Sequence, residues 1–127
     1  MPIVGAPATV VTFCMSDIEG STWLWESDPR AMAEALARHD ALIAAVVEAH
    51  GGRFVKSMGE GDSTTSVFDS PVQGLHAALD AVRALGAEPW PDGLPIRARF
   101  GLHIGECVPS PHRDRRRRRG HAQARPD

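Results

Sequence analysis

The 127-residue chain holds two cysteines, Cys14 and Cys107, far apart and in no Cys-x-x-Cys pair. That excludes a disulfide-stapled scaffold and a cysteine zinc site, and predicts free thiols. There is no long apolar run, and no basic lead before the first hydrophobic segment. Neither a membrane span nor a secretory signal is therefore expected, and the expected location is the cytoplasm. A Gly-x-Ser-x-Gly elbow and a Gly-x-x-x-x-Gly-Lys loop are also missing, which removes two common routes to hydrolase or NTPase chemistry. His39, His50, His76 and His103 lack metal-ligand spacing. His39, His76 and His103 read as helix-surface or strand-packing residues, and His50 as part of a helix end.

Positive charge is scarce in most of the chain. Residues 1–106 carry seven basic against fourteen acidic side chains, whereas residues 107–127 carry seven arginines against two aspartates. An acidic body argues against nucleic acid as its ligand. Val108 is the only large aliphatic residue of the basic end, which also holds an unbroken Arg115–Arg119 run. Such a segment cannot bury enough apolar surface to offset its ordering entropy, so residues 107–127 are expected to form a disordered tail. Charge alone favours its alternative reading as a nucleic-acid-binding arm.

What remains is one domain over residues 1–106. Thr9 to Met15 is rich in β-branched and aromatic residues and reads as a buried strand ending at Ser16-Asp17. A loop through Gly20, Ser21 and Thr22 then feeds a short helix with Trp23, Leu24 and Trp25, whose first amides lack partners. Asp28-Pro29 caps a second helix with Met32, Leu36, Ile43 and Val47 on one face, stopped by Gly51-Gly52. Arg53–Met58 and Ser63–Phe68 read as an antiparallel hairpin whose turn holds Glu60 and Asp62. Ser70-Pro71 caps a third helix, given an apolar face of Leu75, Leu79, Val82 and Leu85. Trp90 sits in a rigid Pro-rich loop, and Ile96 to Ile104 alternates as a fourth strand. The order implies an α+β, ferredoxin-like antiparallel sheet with helices on one face.

Asp17 closes the first strand beside a Gly-Ser-Thr loop, and the hairpin tip with Glu60 and Asp62 belongs next to it in such a sheet. Facing carboxylates repel unless a hard cation lies between them, and Mg²⁺ takes one or two carboxylates together with substrate phosphates. The loop amides would cradle those phosphates. A nucleotide polyphosphate is the implied ligand, against the plainer reading of solvated or capping carboxylates.

Three segments, Thr12–Thr22 (TFCMSDIEGST), His50–Asp62 (HGGRFVKSMGEGD) and Phe100–Glu106 (FGLHIGE), resemble in order and spacing the first half of a class III adenylate/guanylate cyclase catalytic domain. The resemblance is strongest to the bacterial cyclase-homology domains. It implies that Asp17 is a metal-binding aspartate, that the Ile18 carbonyl is a further ligand, that Gly20, Ser21 and Thr22 hold the triphosphate, and that Lys56 reads the base. For the second metal carboxylate, counting forward from Lys56 selects Glu60 and counting back from Phe68 selects Asp62; Asp62 is preferred.

The resemblance further implies two Mg²⁺ or Mn²⁺ ions, ATP or possibly GTP as substrate, and release of pyrophosphate as a cyclic nucleotide forms. It also implies a homodimer, or a hybrid dimer with an intact cyclase domain. The family's transition-state asparagine and arginine lie in its second half, which nothing in residues 107–127 resembles, so no catalytic residue is assigned and little turnover is expected from this chain alone. A frameshifted gene would account for the arginine-rich end. The alternative is a non-catalytic module that dimerises or senses nucleotide.

Overall fold

The structure, a computed structural model, describes residues 9–56 and 62–107. Residues Val11–Gly105 form one compact unit. Thr9, Val10, Glu106 and Cys107 are the described residues outside that unit.

The elements run β1 (Thr9–Ile18), α1 (Ser21–Ser27), α2 (Pro29–Ala49), β2 (Arg53–Lys56), β3 (Ser63–Phe68), α3 (Pro71–Ala87) and β4 (Ala98–Cys107). The sheet order is β2-β3-β1-β4. β3 is antiparallel to both β2 and β1, with Lys56 opposite Thr64 and Asp17 opposite Ser63. Against β4, Asp17 meets Arg99 and Phe13 stacks on His103. Each step forward along β1 is thus a step back along β4, which makes this pair antiparallel as well.

Alternation along the strands separates two faces. Cys14, Ser16, Ile18, Thr64, Ser66 and Phe68 are buried toward the helices. One cluster joins Cys14, Phe68, Ile43, Val47, Ala77 and Leu85; another joins Ile18, Leu24, Met32, Leu94 and Ile96. Trp90 packs against both and donates its indole N–H to the Leu85 carbonyl at 2.8 Å. Burial pushes the Cys14 thiol pKa up, so this thiol is a core group rather than a nucleophile.

Helix starts follow the expected caps. Asp28 accepts the Ala31 N–H and Ser70 the Gln73 N–H, each with proline in the first turn. His50 is the C-cap residue of α2.

Four expectations are corrected. β1 continues through Ser16-Asp17 to Ile18, because β3 pairs with it that far and Ser16 and Thr64 join their hydroxyls at 2.5 Å. β4 begins at Ala98, with Ile96 buried ahead of it. His39 is fully buried on the inner side of α2, Nδ1 lying 2.9 Å from Asp40 Oδ1. On α3 the buried residues are Gly74, Ala77, Ala78, Ala81 and Leu85, while Leu75, Leu79 and Val82 are exposed. The small residues win because the helix runs close to the sheet: a Cβ on Gly74 would stand 3.0 Å from Thr12 Cγ2.

Candidate functional site

Asp17 lies on the face of the sheet opposite the helices, at the C-terminal end of β1. It lines a cleft of about 450 Å³ with Met15, Ser63, Thr65, Arg99 and Gly101. Strand pairing makes this convergence: β3 brings Ser63 opposite Asp17, and β4 brings Arg99 from the other side. Arg99 donates from Nε to Asp17 Oδ1 and from Nη2 to Oδ2, both at 3.0 Å. The Asp17 carboxylate holds the Arg99 pKa above its ordinary value, first through that hydrogen bonding and then through charge, with Glu19 adding a smaller attraction.

The chain turns away immediately after this carboxylate. The Ile18 side chain is buried in the core, and the Glu19 N–H donates to the Arg97 carbonyl at 2.8 Å. Gly20 takes φ 64°, a left-handed conformation in which glycine avoids the Cβ penalty, and stands as N-cap of α1 with no side-chain cap bond. Ser21 and Thr22 therefore begin a helix whose leading amides have no side-chain acceptor at the cap.

Asp17, Ile18, Gly20, Ser21 and Thr22 are consecutive or nearly so at one end of β1. Asp62 is a half-buried turn residue directly before Ser63, the partner of Asp17. Lys56 ends β2 opposite Thr64; its side chain and the whole of Glu60 lie outside the described residues, as does the arginine-rich segment 108–127. Arg99 was missed, because β4's alternation marks it only as an outward polar position. Its meeting with Asp17 depends on which strands are neighbours.

The Asp17 carboxylate and the Ile18 carbonyl are hard oxygen donors next to each other in the chain, and Asp62 precedes Ser63, the strand partner of Asp17, without lining the cleft. Hard oxygens are the donors that Mg²⁺ or Mn²⁺ takes when a ligand's phosphates complete the shell. Among the described residues no three His, Cys, Asp or Glu side chains stand together in a way that could hold a metal ion. Among the described residues no helix is long and apolar enough to cross a membrane. Trp23 is exposed and Trp25 packs beside the second core cluster.

No protein-family model matches the chain. An uncharacterized protein of Mycobacterium tuberculosis (strain ATCC 25618 / H37Rv) is 37% identical over 100 residues, spanning 79% of this chain and 33% of that protein. The adenylate cyclase of Lachancea kluyveri is 32% identical over 127 aligned residues, 85% of this chain and 7% of that one. A bacterial light-regulated adenylyl cyclase superposes with TM-score 0.72 at 19% identity, covering 83% of this chain and 33% of its own. An adenylate cyclase from Trypanosoma brucei in its monomeric state superposes at 0.70 with 23% identity, covering 76% and 55%. The catalytic core of a rhodopsin-guanylyl cyclase in complex with ATPαS gives 0.63 and 23%, covering 84% and 61%.

The architecture is that of class III nucleotide cyclase domains. With the sequence relatives, it places the chain in the class III adenylyl/guanylyl cyclase family. The chain spans about a third of the mycobacterial relative and about half of the solved trypanosome domain.

Proposed function

We propose that this chain supplies the metal- and phosphate-binding face of a class III nucleotide cyclase, which forms a cyclic nucleotide and pyrophosphate from ATP or, alternatively, GTP. The observation that carries the reading is the position of Asp17. It lines an open cleft, three residues before a left-handed glycine that opens a helix with no side-chain cap. In this reading Asp17 and the Ile18 carbonyl, with Asp62 or Glu60 from the hairpin, hold Mg²⁺ or Mn²⁺. Gly20, Ser21 and Thr22 offer backbone donors to the triphosphate, and Lys56 contacts the base. Bound divalent ions would supply charge neutralisation of the polyphosphate and acidify the attacking hydroxyl. In this reading Asp17 holds the ion from its place on a paired strand, and the amides after the Gly20 turn would meet the phosphates.

Complementary groups from a second domain would complete the site, in a homodimer or a hybrid dimer with an intact cyclase domain. The chain alone should turn over little, since positioned charge at a transition state is worth several kcal/mol per group. The test mixes it with an intact cyclase domain whose own metal aspartates have been replaced. Cyclic AMP formed from Mn²⁺·ATP by the mixture, absent from either component and lost with Asp17→Asn in this chain, is the expected result. Metal-dependent ATP binding with no product in any mixture would favour a nucleotide-sensing module. No binding and no product would sink both readings.

A further inference from the structure

Among the described residues, Arg99 is the cationic side chain that pairs with Asp17 on the cleft, and it engages both carboxylate oxygens. Each carboxylate oxygen keeps a second lone pair, so a divalent ion that took Asp17 as a ligand would either share an oxygen already engaged by Arg99 or displace one of the two 3.0 Å hydrogen bonds. It would also sit within a few ångströms of a guanidinium that stays charged at every pH the fold survives. Resting on the functional reading above, we infer that Arg99 is an internal cation that competes with divalent metal at Asp17, so that the free chain binds the ion weakly until Arg99 swings aside.

The local structure permits that exchange. Arg99 is 66% exposed and Asp17 44% exposed at the side chain, so no core packing pins the pair. Glu19, whose charge also acts on Arg99, offers the displaced guanidinium a second acceptor near the same strand end. Exposed ion pairs are individually weak even when bidentate, so the competition is a modest bias rather than a lock. Removing it should tighten metal binding roughly 1.5- to fivefold.

The experiment titrates Mn²⁺ into the full chain without nucleotide and follows free Mn²⁺ by electron paramagnetic resonance. Wild type, Arg99→Gln, Arg99→Met, Asp17→Asn and the Asp17→Asn/Arg99→Gln double variant are compared, each first checked for a cooperative melt. The two Arg99 variants are expected to bind more tightly than wild type by the stated factor, and the double variant to lose that gain. If binding depends on Asp17 but is no tighter in either Arg99 variant, the competition is refuted while the metal site stands. If Mn²⁺ binding ignores Asp17 in every background, the metal reading itself fails and the inference goes with it.

Discussion

The Phe68 ring occupies the space where a Cβ on Gly52 would stand, with Phe68 Cδ2 at 2.6 Å and Cζ at 2.8 Å from that position. Phe68 is fully buried in the main core cluster, so the ring has nowhere to retreat. The two glycines after α2 therefore have different reasons. Gly51 takes φ 80° to end the helix, and Gly52 lets β2 start flush against the core. Gly52→Ala is expected to destabilise the fold by about 1–3 kcal/mol through overpacking, read as a lower urea midpoint with unchanged slope. Gly52→Ala combined with Phe68→Leu should recover part of the loss, since the smaller side chain vacates the ring edge.

Ser16 and Thr64 share a hydrogen bond of 2.5 Å within the buried layer, one residue from Asp17. Ser16→Ala would leave the Thr64 hydroxyl buried without its partner, a loss of about 1–3 kcal/mol. Adding Thr64→Val removes the orphaned group, so the double variant should be more stable than the sum of the single effects predicts. Strict additivity in a double-mutant cycle would show that the pair makes no net contribution.

His50 Nε2 lies 2.7 Å from Asp80 Oδ2, tying the end of α2 to α3, and Arg83 reaches Asp80 Oδ1 at 3.2 Å. The His50 hydrogen bond is the main reason that the Asp80 pKa is lowered. A carboxylate lowered in the folded state contributes stability above its unfolded value, about 3.9, and loses it as pH falls through the folded value. Wild type should therefore outlast Asp80→Asn in urea near neutrality, and the gap should close in acid below about pH 4. Parallel midpoints for the two proteins from pH 7 down to acid would contradict the coupling.

Strand and helix order, the two capping signals and the antiparallel pairing of β2 with β3 were legible because each rests on short-range chemistry: Asp28-Pro29, Ser70-Pro71 and the alternation of Ser63–Phe68. The inner face of α3 was not. Periodicity weights large aliphatic residues, yet close approach of helix to sheet selected Gly74, Ala77 and Ala81. His39 went astray for a related reason, since a polar side chain on an apolar stripe reads as surface until its neighbours are known. In the candidate site, Asp17 and the Gly20 turn followed from a strand running into a glycine loop. Arg99 did not, because its partner is 82 residues away in sequence and only the β1–β4 pairing brings them together.

That misread face of α3 has a consequence for behaviour in solution. Val72, Leu75, Leu79 and Val82 are 62%, 47%, 46% and 52% exposed. Leu102 on the outer strand β4 reaches the inner face of α3, where a Cβ on Gly74 would stand 3.6 Å from its Cδ2, and is itself 41% exposed. Ile104 on that strand is also exposed, and unpaired strand edges with apolar side chains promote self-association. The chain on its own is expected to sediment as concentration-dependent oligomers. Leu75→Glu/Leu79→Glu should shift the distribution toward monomer while leaving the melting temperature nearly unchanged, because exposed positions contribute within about 0.5 kcal/mol to folding. A wild-type chain that stays monomeric at high concentration would mean that this face is not sticky enough to matter. A fall in melting temperature of the double variant would mean that the face is packed in solution.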